Sequence, residues 1–143
     1  LHWFPQDQFH AEVHRVLKLG GVFAAWSYGL LTVDPAVDAV IHWFYEERIG
    51  RYWPPERMHV ERRYADLPFP YREIAIDDWP LDAMLTRSQV TGFIATWSAV
   101  RHAREAEGTD PVEEFAERLA RVWPNDDARA VRWPMVVRAG RHE

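Results

Sequence analysis

The stretch LKLGGVFAAWSYG, residues 17–29, decides the fold class of this chain. It follows a segment from Phe9 to Leu17 in which apolar residues recur at the spacing of one helix face. Gly20 and Gly21 are expected to end that helix, because glycine adopts the left-handed C-terminal conformation at no steric cost. The apolar run 22–26 shows no alternation, which predicts a strand covered on both faces. A helix, a glycine turn and a buried strand in this order predict an α/β fold.

Three further helices are predicted from capping residues, where an Asp-Pro pair or a Thr-x-x-Gln capping box precedes an apolar periodic segment. They are predicted to begin at Asp34-Pro35, Thr86 and Asp110-Pro111, and to end at Gly50, at Gly108 and before Pro124. Residues 73–77 and 131–138 alternate as strands do. Because proline cannot donate to a ladder, Pro134 favours an edge strand or a bulge. No internal repeat or linker divides the chain, so a single domain over residues 1–143 is expected.

Composition excludes several classes of protein. The 143 residues are 48% hydrophobic and 14% aromatic, which is too apolar for a disordered segment. No apolar run approaches the roughly 18 residues of a membrane span, and a net charge of -5 argues against a nucleic-acid surface. The absence of cysteine rules out disulfides and thiolate metal sites. Since the chain opens without a secretion signal, a cytoplasmic protein with no membrane or nucleic-acid partner is predicted.

Several catalytic patterns are absent or incomplete. The glycines form no G-x-G motif, so a phosphate-binding or dinucleotide loop is excluded. His10 and His14 stand four residues apart on the predicted helix, but no third ligand is near, and a solvated helix flank is favoured over a metal site. Ser27 lacks the G-x-S-x-G elbow of hydrolases. No metal site is therefore predicted, and nucleophilic catalysis has little support.

A set of aromatic residues could instead enclose an apolar substrate or lie near a cationic sulfonium group. Its members are His2, Trp3, Trp26, Tyr28, Tyr52, Trp53 and Trp97. Trp43 and Trp97 lie at helical spacing and are expected in the core, whereas His2, Trp3 and Tyr28 lie where strands would end. The aromatic, proline-containing segment 51–72 is predicted to cap a substrate, with plain packing as the alternative.

Linked motifs over nearly the whole chain resemble class I S-adenosylmethionine-dependent methyltransferases of the methyltransferase type 11 group. The motifs are HWF at 2–4, RVLKLGG at 15–21 and the apolar run after it, followed by YWPPER at 52–57, DLPFP at 66–70, TWSAV at 96–100 and VRWP at 131–134. The later motifs are similar to a bacterial, trans-aconitate-type subgroup. Leu19 stands where the group usually has proline. Lys18 is the only lysine among 17 basic residues, which also suggests a bacterial source.

The resemblance implies a Rossmann-like fold of which this chain is the C-terminal half, with strands 5, 6 and 7, flanking helices and a helical, aromatic cap. The family sheet has the order 3-2-1-4-5-7-6. Residues 22–26, 73–77 and 131–138 would then be strands 5, 6 and 7. His2 and Trp3 would border S-adenosylmethionine, His2 would be the catalytic base, and Tyr28, Tyr52 and Trp53 would contact the methyl acceptor.

Two functions follow as alternatives. In the first, the parent protein transfers a methyl group to a small-molecule acceptor, and this chain alone is inactive because the family's glycine-rich loop and acidic ribose-binding residue have no counterpart. In the second, the chain is a non-catalytic, truncated methyltransferase module. It would form a homodimer or pair with another chain through a strand edge left exposed by the missing strand 4. A carrier of apolar ligands is a third hypothesis that rests on aromatic composition alone.

Overall fold

The computed structural model describes residues 1–143 as a mixed α/β structure. The helices are α1 (Gln6–Val16), α2 (Pro35–His42), α3 (Arg57–Glu61), α4 (Arg87–Ile94), α5 (Ser98–Glu107) and α6 (Pro111–Val122). A π-helical segment (Trp43–Arg48) and a 3-10 turn (Gly50–Tyr52) follow α2. The strands are β1 (Val22–Tyr28), β2 (Arg72–Ile74), β3 (Pro80–Leu85) and β4 (Arg129–Arg141). None of the helices combines the length and the apolar content that a bilayer span requires.

The last strand, β4, occupies the middle of the sheet order β1-β4-β2, and β3 also pairs with β4. Both β1 and β2 run antiparallel to β4. The prediction of an edge position for Pro134 is therefore wrong. The ladder tolerates this proline because the N–H of Gly29 donates to the Pro134 carbonyl at 2.8 Å, a bond that needs no N–H from proline.

The predicted strand at 22–26 is confirmed as β1, but the prediction that both of its faces are covered is wrong. Val22, Trp26 and Tyr28 are 48%, 68% and 42% exposed. Phe23 and Ala25, on the other face, are half-buried. The alternating exposure shows that the chain packs only one of the two faces of β1.

The predicted caps at Asp34, Thr86, Gly108 and Asp110 are confirmed. The prediction that Gly20 and Gly21 end the first helix is wrong, because α1 ends at Val16 and Leu17 is already extended. The Asp34 carboxylate accepts hydrogen bonds from the backbone N–H groups of Ala36 at 3.0 Å and Val37 at 3.1 Å. Thr86 and Gln89 form a reciprocal capping box at the start of α4. Gly108, with φ of 70°, ends α5 in the left-handed conformation. These are local interactions, which explains why local sequence signals predict them.

The single helix predicted from Thr86 to Gly108 is two helices. The hydroxyl of Thr96 donates to the Phe93 carbonyl at 2.6 Å, and Trp97 adopts an extended conformation before α5 begins. A side-chain hydroxyl that bonds nearby backbone in this way competes with the helical pattern.

The two short strands differ from expectation. The alternating segment 73–77 is a strand only in its first part, because β2 ends at Ile74. β3 was not expected, since Pro80 and Asp82 are unfavourable strand residues. The segment 131–138 lies within the longer β4.

The chain comprises two compact units. The first contains residues 1–30, 55–81 and 134–143, and the second contains residues 31–54 and 82–133. In the first unit, Val60 and Tyr64 pack with Val136 of β4. In the second, α6 packs against α2, α4 and α5, and Phe44 and Phe115 are fully buried with ring centroids 4.8 Å apart. The single domain over 1–143 and the cap over 51–72 stay predictions.

Candidate functional site

His2 and Trp3 lie together in the first unit. Their ring centroids are 4.9 Å apart, and the half-buried His2 also stacks on Tyr64 at 5.8 Å. Nδ1 of His2 lies 3.2 Å from the Tyr64 hydroxyl. The indole of Trp3 is 61% exposed. The pair therefore offers one oriented imidazole and one accessible aromatic face.

The surroundings of His2 keep its ring neutral. Burial lowers its pKa, and the positive charges of Arg57 and His59 lower it further against the opposing charge of Glu56. Because the ordinary histidine pKa is already about 6.5, the imidazole is largely unprotonated at neutral pH. His2 can therefore accept a proton from a bound molecule.

A tight turn after α3 holds Tyr64 against His2. Arg63 and Tyr64 both have left-handed backbone conformations, with φ of 55° and 59°, which is unusual for two consecutive residues that are not glycine. The Tyr64 N–H donates to the His59 carbonyl at 2.7 Å. The Arg138 guanidinium donates to the Tyr64 carbonyl at 2.7 Å and to the Leu67 carbonyl at 2.9 Å. The turn is thus fixed by tertiary contacts and not by a flexible residue.

Tyr28, the third predicted residue of the first unit, lies at the end of β1 opposite Met135. Its side chain is 42% exposed. The next residue, Gly29, closes the β1–β4 ladder by donating to the Pro134 carbonyl. A role in acceptor binding stays a prediction for Tyr28.

Tyr52 and Trp53 belong to the second unit, and their polar atoms are engaged there. The Tyr52 hydroxyl donates to Glu107 at 2.8 Å and accepts from Arg51 at 2.7 Å. Hydrogen bonds from Arg48 above all, then from Tyr52 and Arg51, lower the pKa of Glu107 to about 2. These contacts anchor Tyr52 to α5, and its role in acceptor binding stays a prediction.

Trp53, the next residue along the chain, contacts different groups. Its indole N–H donates to the Tyr45 carbonyl at 3.1 Å. Its ring lies 4.7 Å from that of Tyr45 and 5.5 Å from that of Trp97. The half-buried Trp97 thus joins an aromatic cluster. Acceptor binding by Trp53 likewise stays a prediction.

His10 corrects the prediction of a solvated helix flank. Its side chain is only 7% exposed. Nδ1 lies 2.9 Å from the Tyr71 hydroxyl, and Nε2 lies 3.1 Å from the Pro68 carbonyl. The partners are more than 50 residues away in sequence, so helix periodicity could not reveal them. No group of His, Asp or Glu side chains is arranged to hold a metal ion.

A histidine–carboxylate pair escaped the sequence analysis. Nδ1 of His59 lies 3.0 Å from Asp66, and Arg62 donates to the same carboxylate at 3.1 Å. In the sequence Asp66 stands out only as part of the DLPFP motif, because its approach to His59 depends on the left-handed turn between them.

Each unit contains an open groove. An apolar groove of about 200 Å³ runs beside β1 in the first unit. It is lined by Leu1, Phe4, Phe9, Phe23, Ala24, Ala25 and Trp26. A larger groove of about 580 Å³ in the second unit is lined by Thr32, Val33 and parts of β3 and β4. Asp82 and Arg132 form a two-bond ion pair there, at 2.7 and 2.9 Å.

Similarities to known proteins support a methyltransferase class for this chain. A solved structure, described as that of "a Putative Type II Methyltransferase from Anaeromyxobacter dehalogenans", superposes with a TM-score of 0.88 and 43% sequence identity. The match covers 98% of this chain and 60% of the other.

The chain is also 30% identical over 129 residues to a Dictyostelium discoideum protein named "Putative methyltransferase". That match covers 88% of this chain and 49% of the relative, so the chain spans about half the length of the curated protein. No protein-family model matches the chain.

The residues of this chain do not fit the whole of S-adenosylmethionine, the methyl donor that methyltransferases generally use. The accessible face of Trp3 is suited to a sulfonium cation. However, a glycine-rich loop is needed to hold the rest of the molecule, and the two glycines with left-handed backbones, Gly20 and Gly108, lie in turns of the fold instead. Gly20 donates to the His142 carbonyl at 2.8 Å, and Gly108 caps α5. Neither belongs to a loop that could cradle the rest of the molecule.

Proposed function

We propose that the protein containing this chain transfers a methyl group from S-adenosylmethionine to a small-molecule acceptor. The observation that carries the proposal is the 43% identity to a solved structure described as a methyltransferase, over 98% of this chain. The sheet order β1-β4-β2, with an antiparallel last strand in the middle, supports assignment of these strands to positions 5, 7 and 6 of a Rossmann-like sheet. The absence of cysteine and the near absence of lysine support a bacterial, cytoplasmic setting.

In this proposal the chain supplies the acceptor side of the site. His2 is neutral and held by Tyr64 at 3.2 Å, so it can take up a proton released by the acceptor. Trp3 borders the methyl donor and the acceptor, and Tyr28, Tyr52, Trp53 and the cap over 51–72 are each proposed as acceptor contacts. The chain alone is inactive, because it lacks a cradle for the methyl donor.

Calorimetry with S-adenosylhomocysteine tests this division of roles. We expect no micromolar binding by the 143-residue chain and micromolar binding by the protein encoded by the whole reading frame. Upstream of Leu1 the frame should encode a strand followed by a glycine-rich loop. Micromolar binding by the short chain would overturn the proposed inactivity. Failure of the longer protein to bind would count against methyl transfer itself.

A second candidate function is that of a non-catalytic module in which two copies of the chain pair through β1. The specific observation is that β1 ends the sheet order and contains no charged residue or proline in its sequence VFAAWSY. Natural proteins usually protect an edge strand with such residues. Light scattering distinguishes the candidates, because a monomer at high concentration is inconsistent with this module.

A further inference from the structure

The pair formed by His59 and Asp66 has the geometry of an oriented general base. Nδ1 of His59 lies 3.0 Å from one carboxylate oxygen, and Arg62 donates to the other at 3.1 Å. These hydrogen bonds, that of His59 above all, lower the pKa of Asp66. An ionised carboxylate can only accept, so the hydrogen of a neutral His59 must be on Nδ1. Nε2 then carries the lone pair, and no hydrogen bond of the structure uses it.

A single turn orients both His59 and His2. The left-handed residues Arg63 and Tyr64 reverse the chain after α3, which returns Asp66 to His59 and presents the Tyr64 hydroxyl to His2. Residues other than glycine rarely adopt this conformation, and such strain is concentrated at functional sites. The charge of His59 also lowers the pKa of His2, so the two imidazoles affect each other electrostatically.

The two imidazoles have different charged surroundings. A proton on His2 is disfavoured by burial and by the charges of Arg57 and His59, which together outweigh Glu56. A proton on His59 instead faces the Asp66 carboxylate, although Arg62 also contacts Asp66. Both side chains of the His59–Asp66 pair are 27% exposed, so a proton can also leave to water.

We propose that His59, positioned by Asp66, is a second proton-accepting residue of the acceptor site, and that the acceptor reacts through a hydroxyl or amine that carries its proton at neutral pH. In the step, the bond between the acceptor atom and hydrogen breaks and leaves its electron pair on that atom. The Nε2 lone pair of His59 binds the proton, and the imidazolium charge is balanced by Asp66. A carboxylate oxygen needs no such base. The inference rests on the proposed methyl transfer and specifies its acceptor class.

The tautomer of His59 tests the pairing without any ligand. We expect nitrogen-15 NMR of the chain at neutral pH to show His59 with hydrogen on Nδ1, and Asp66→Asn to shift it toward the Nε2 form. Arg62→Gln should leave the tautomer unchanged, because His59 keeps its partner. Asp78→Asn is the matched control, since Asp78 also pairs with an arginine of the same turn, Arg63 at 3.1 Å. Native His59 with hydrogen on Nε2 would overturn the proposal.

Methyl transfer by the protein from the whole reading frame tests the chemistry, with phenol, benzylamine and benzoate as acceptor probes. We expect transfer to phenol or benzylamine, with kcat lowered on the order of 100-fold by His59→Gln. Asp66→Asn should lower kcat more than it changes KM, and should move the pH–rate profile to lower pH. Equal rates for the native protein and His59→Gln, or transfer to benzoate alone, would overturn the inference while leaving methyl transfer intact. If none of the probes is methylated, the result counts against the proposed methyl transfer. The tautomer of His59 would still test its pairing with Asp66 independently.

Discussion

The hydroxyl of Tyr71 lies 2.9 Å from Nδ1 of His10, inside an aromatic cluster of the first unit. Nε2 of His10 lies 3.1 Å from the Pro68 carbonyl, which can only accept. Nε2 therefore carries the hydrogen, and Tyr71 must donate to Nδ1. A neutral imidazole satisfies both partners, whereas a protonated His10 would keep the contact only if the Tyr71 hydroxyl turned to accept from Nδ1.

His10 is expected to make the chain less stable in mild acid. Burial lowers the pKa of His10 more than its bond to Pro68 raises it, while His14 lowers it and Asp7 raises it to smaller extents. As pH falls through the ordinary value of about 6.5, the unfolded state binds a proton that the folded state resists. The free energy of unfolding should therefore fall between about pH 7 and about pH 5.

Urea unfolding of His10→Gln should show a weaker fall, whereas the exposed control His42→Gln should behave as the native chain does. An unchanged pH dependence in His10→Gln would show that His10 is not responsible.

Removal of the Tyr71 hydroxyl should destabilise the first unit at neutral pH. Tyr71→Phe keeps the buried ring but leaves Nδ1 of His10 without its donor. An unsatisfied buried acceptor costs about 1–3 kcal/mol. Urea unfolding of Tyr71→Phe, His10→Gln and the double variant gives the coupling energy of the pair. Strictly additive effects would argue against the hydrogen bond as a source of stability.

Two substitutions of Arg63, in the left-handed turn after α3, should have opposite effects on stability. Arg63 has φ of 55°, and its ion pair with Asp78 is exposed and contributes little. Arg63→Gly should be neutral or stabilising by up to about 1 kcal/mol, because glycine adopts this conformation without strain. Arg63→Val should be destabilising, since a β-branched residue fits it poorly. Thermal unfolding of both variants measures the difference. If the glycine variant were the less stable of the two, the turn would not be strained.

Local signals predicted the helix starts and one helix end, but not every boundary. The Asp34 cap, the Thr86–Gln89 capping box and the Gly108 terminus each involve residues within one helical turn. The break before α5 was missed because the Thr96 hydroxyl can bond the backbone in either a helix or a turn. In this segment, only the tertiary structure selects between them.

Long-range contacts account for what the sequence could not reveal at the candidate site. His10 lies on a helix whose periodicity suggested solvent, and its partner Tyr71 is 61 residues away. The exposure of one face of β1 depends on which elements pack on the sheet, which an apolar run alone does not specify. His2 was predicted from a resemblance, whereas the role of Tyr64 in orienting it becomes visible only in three dimensions.

The terminal position of β1 leads to a last prediction, on self-association. Trp26 is 68% exposed on a strand with no charge to oppose pairing, so two copies of the chain should associate through this edge. Trp26→Lys adds a charge there and should shift the chain toward monomer in concentration-dependent light scattering. Leu19→Lys is the matched control, because it adds the same charge at a side chain that is 79% exposed but lies outside the strand. A native chain that stays monomeric at high concentration, or equal association of both variants, would exclude β1 as the contact.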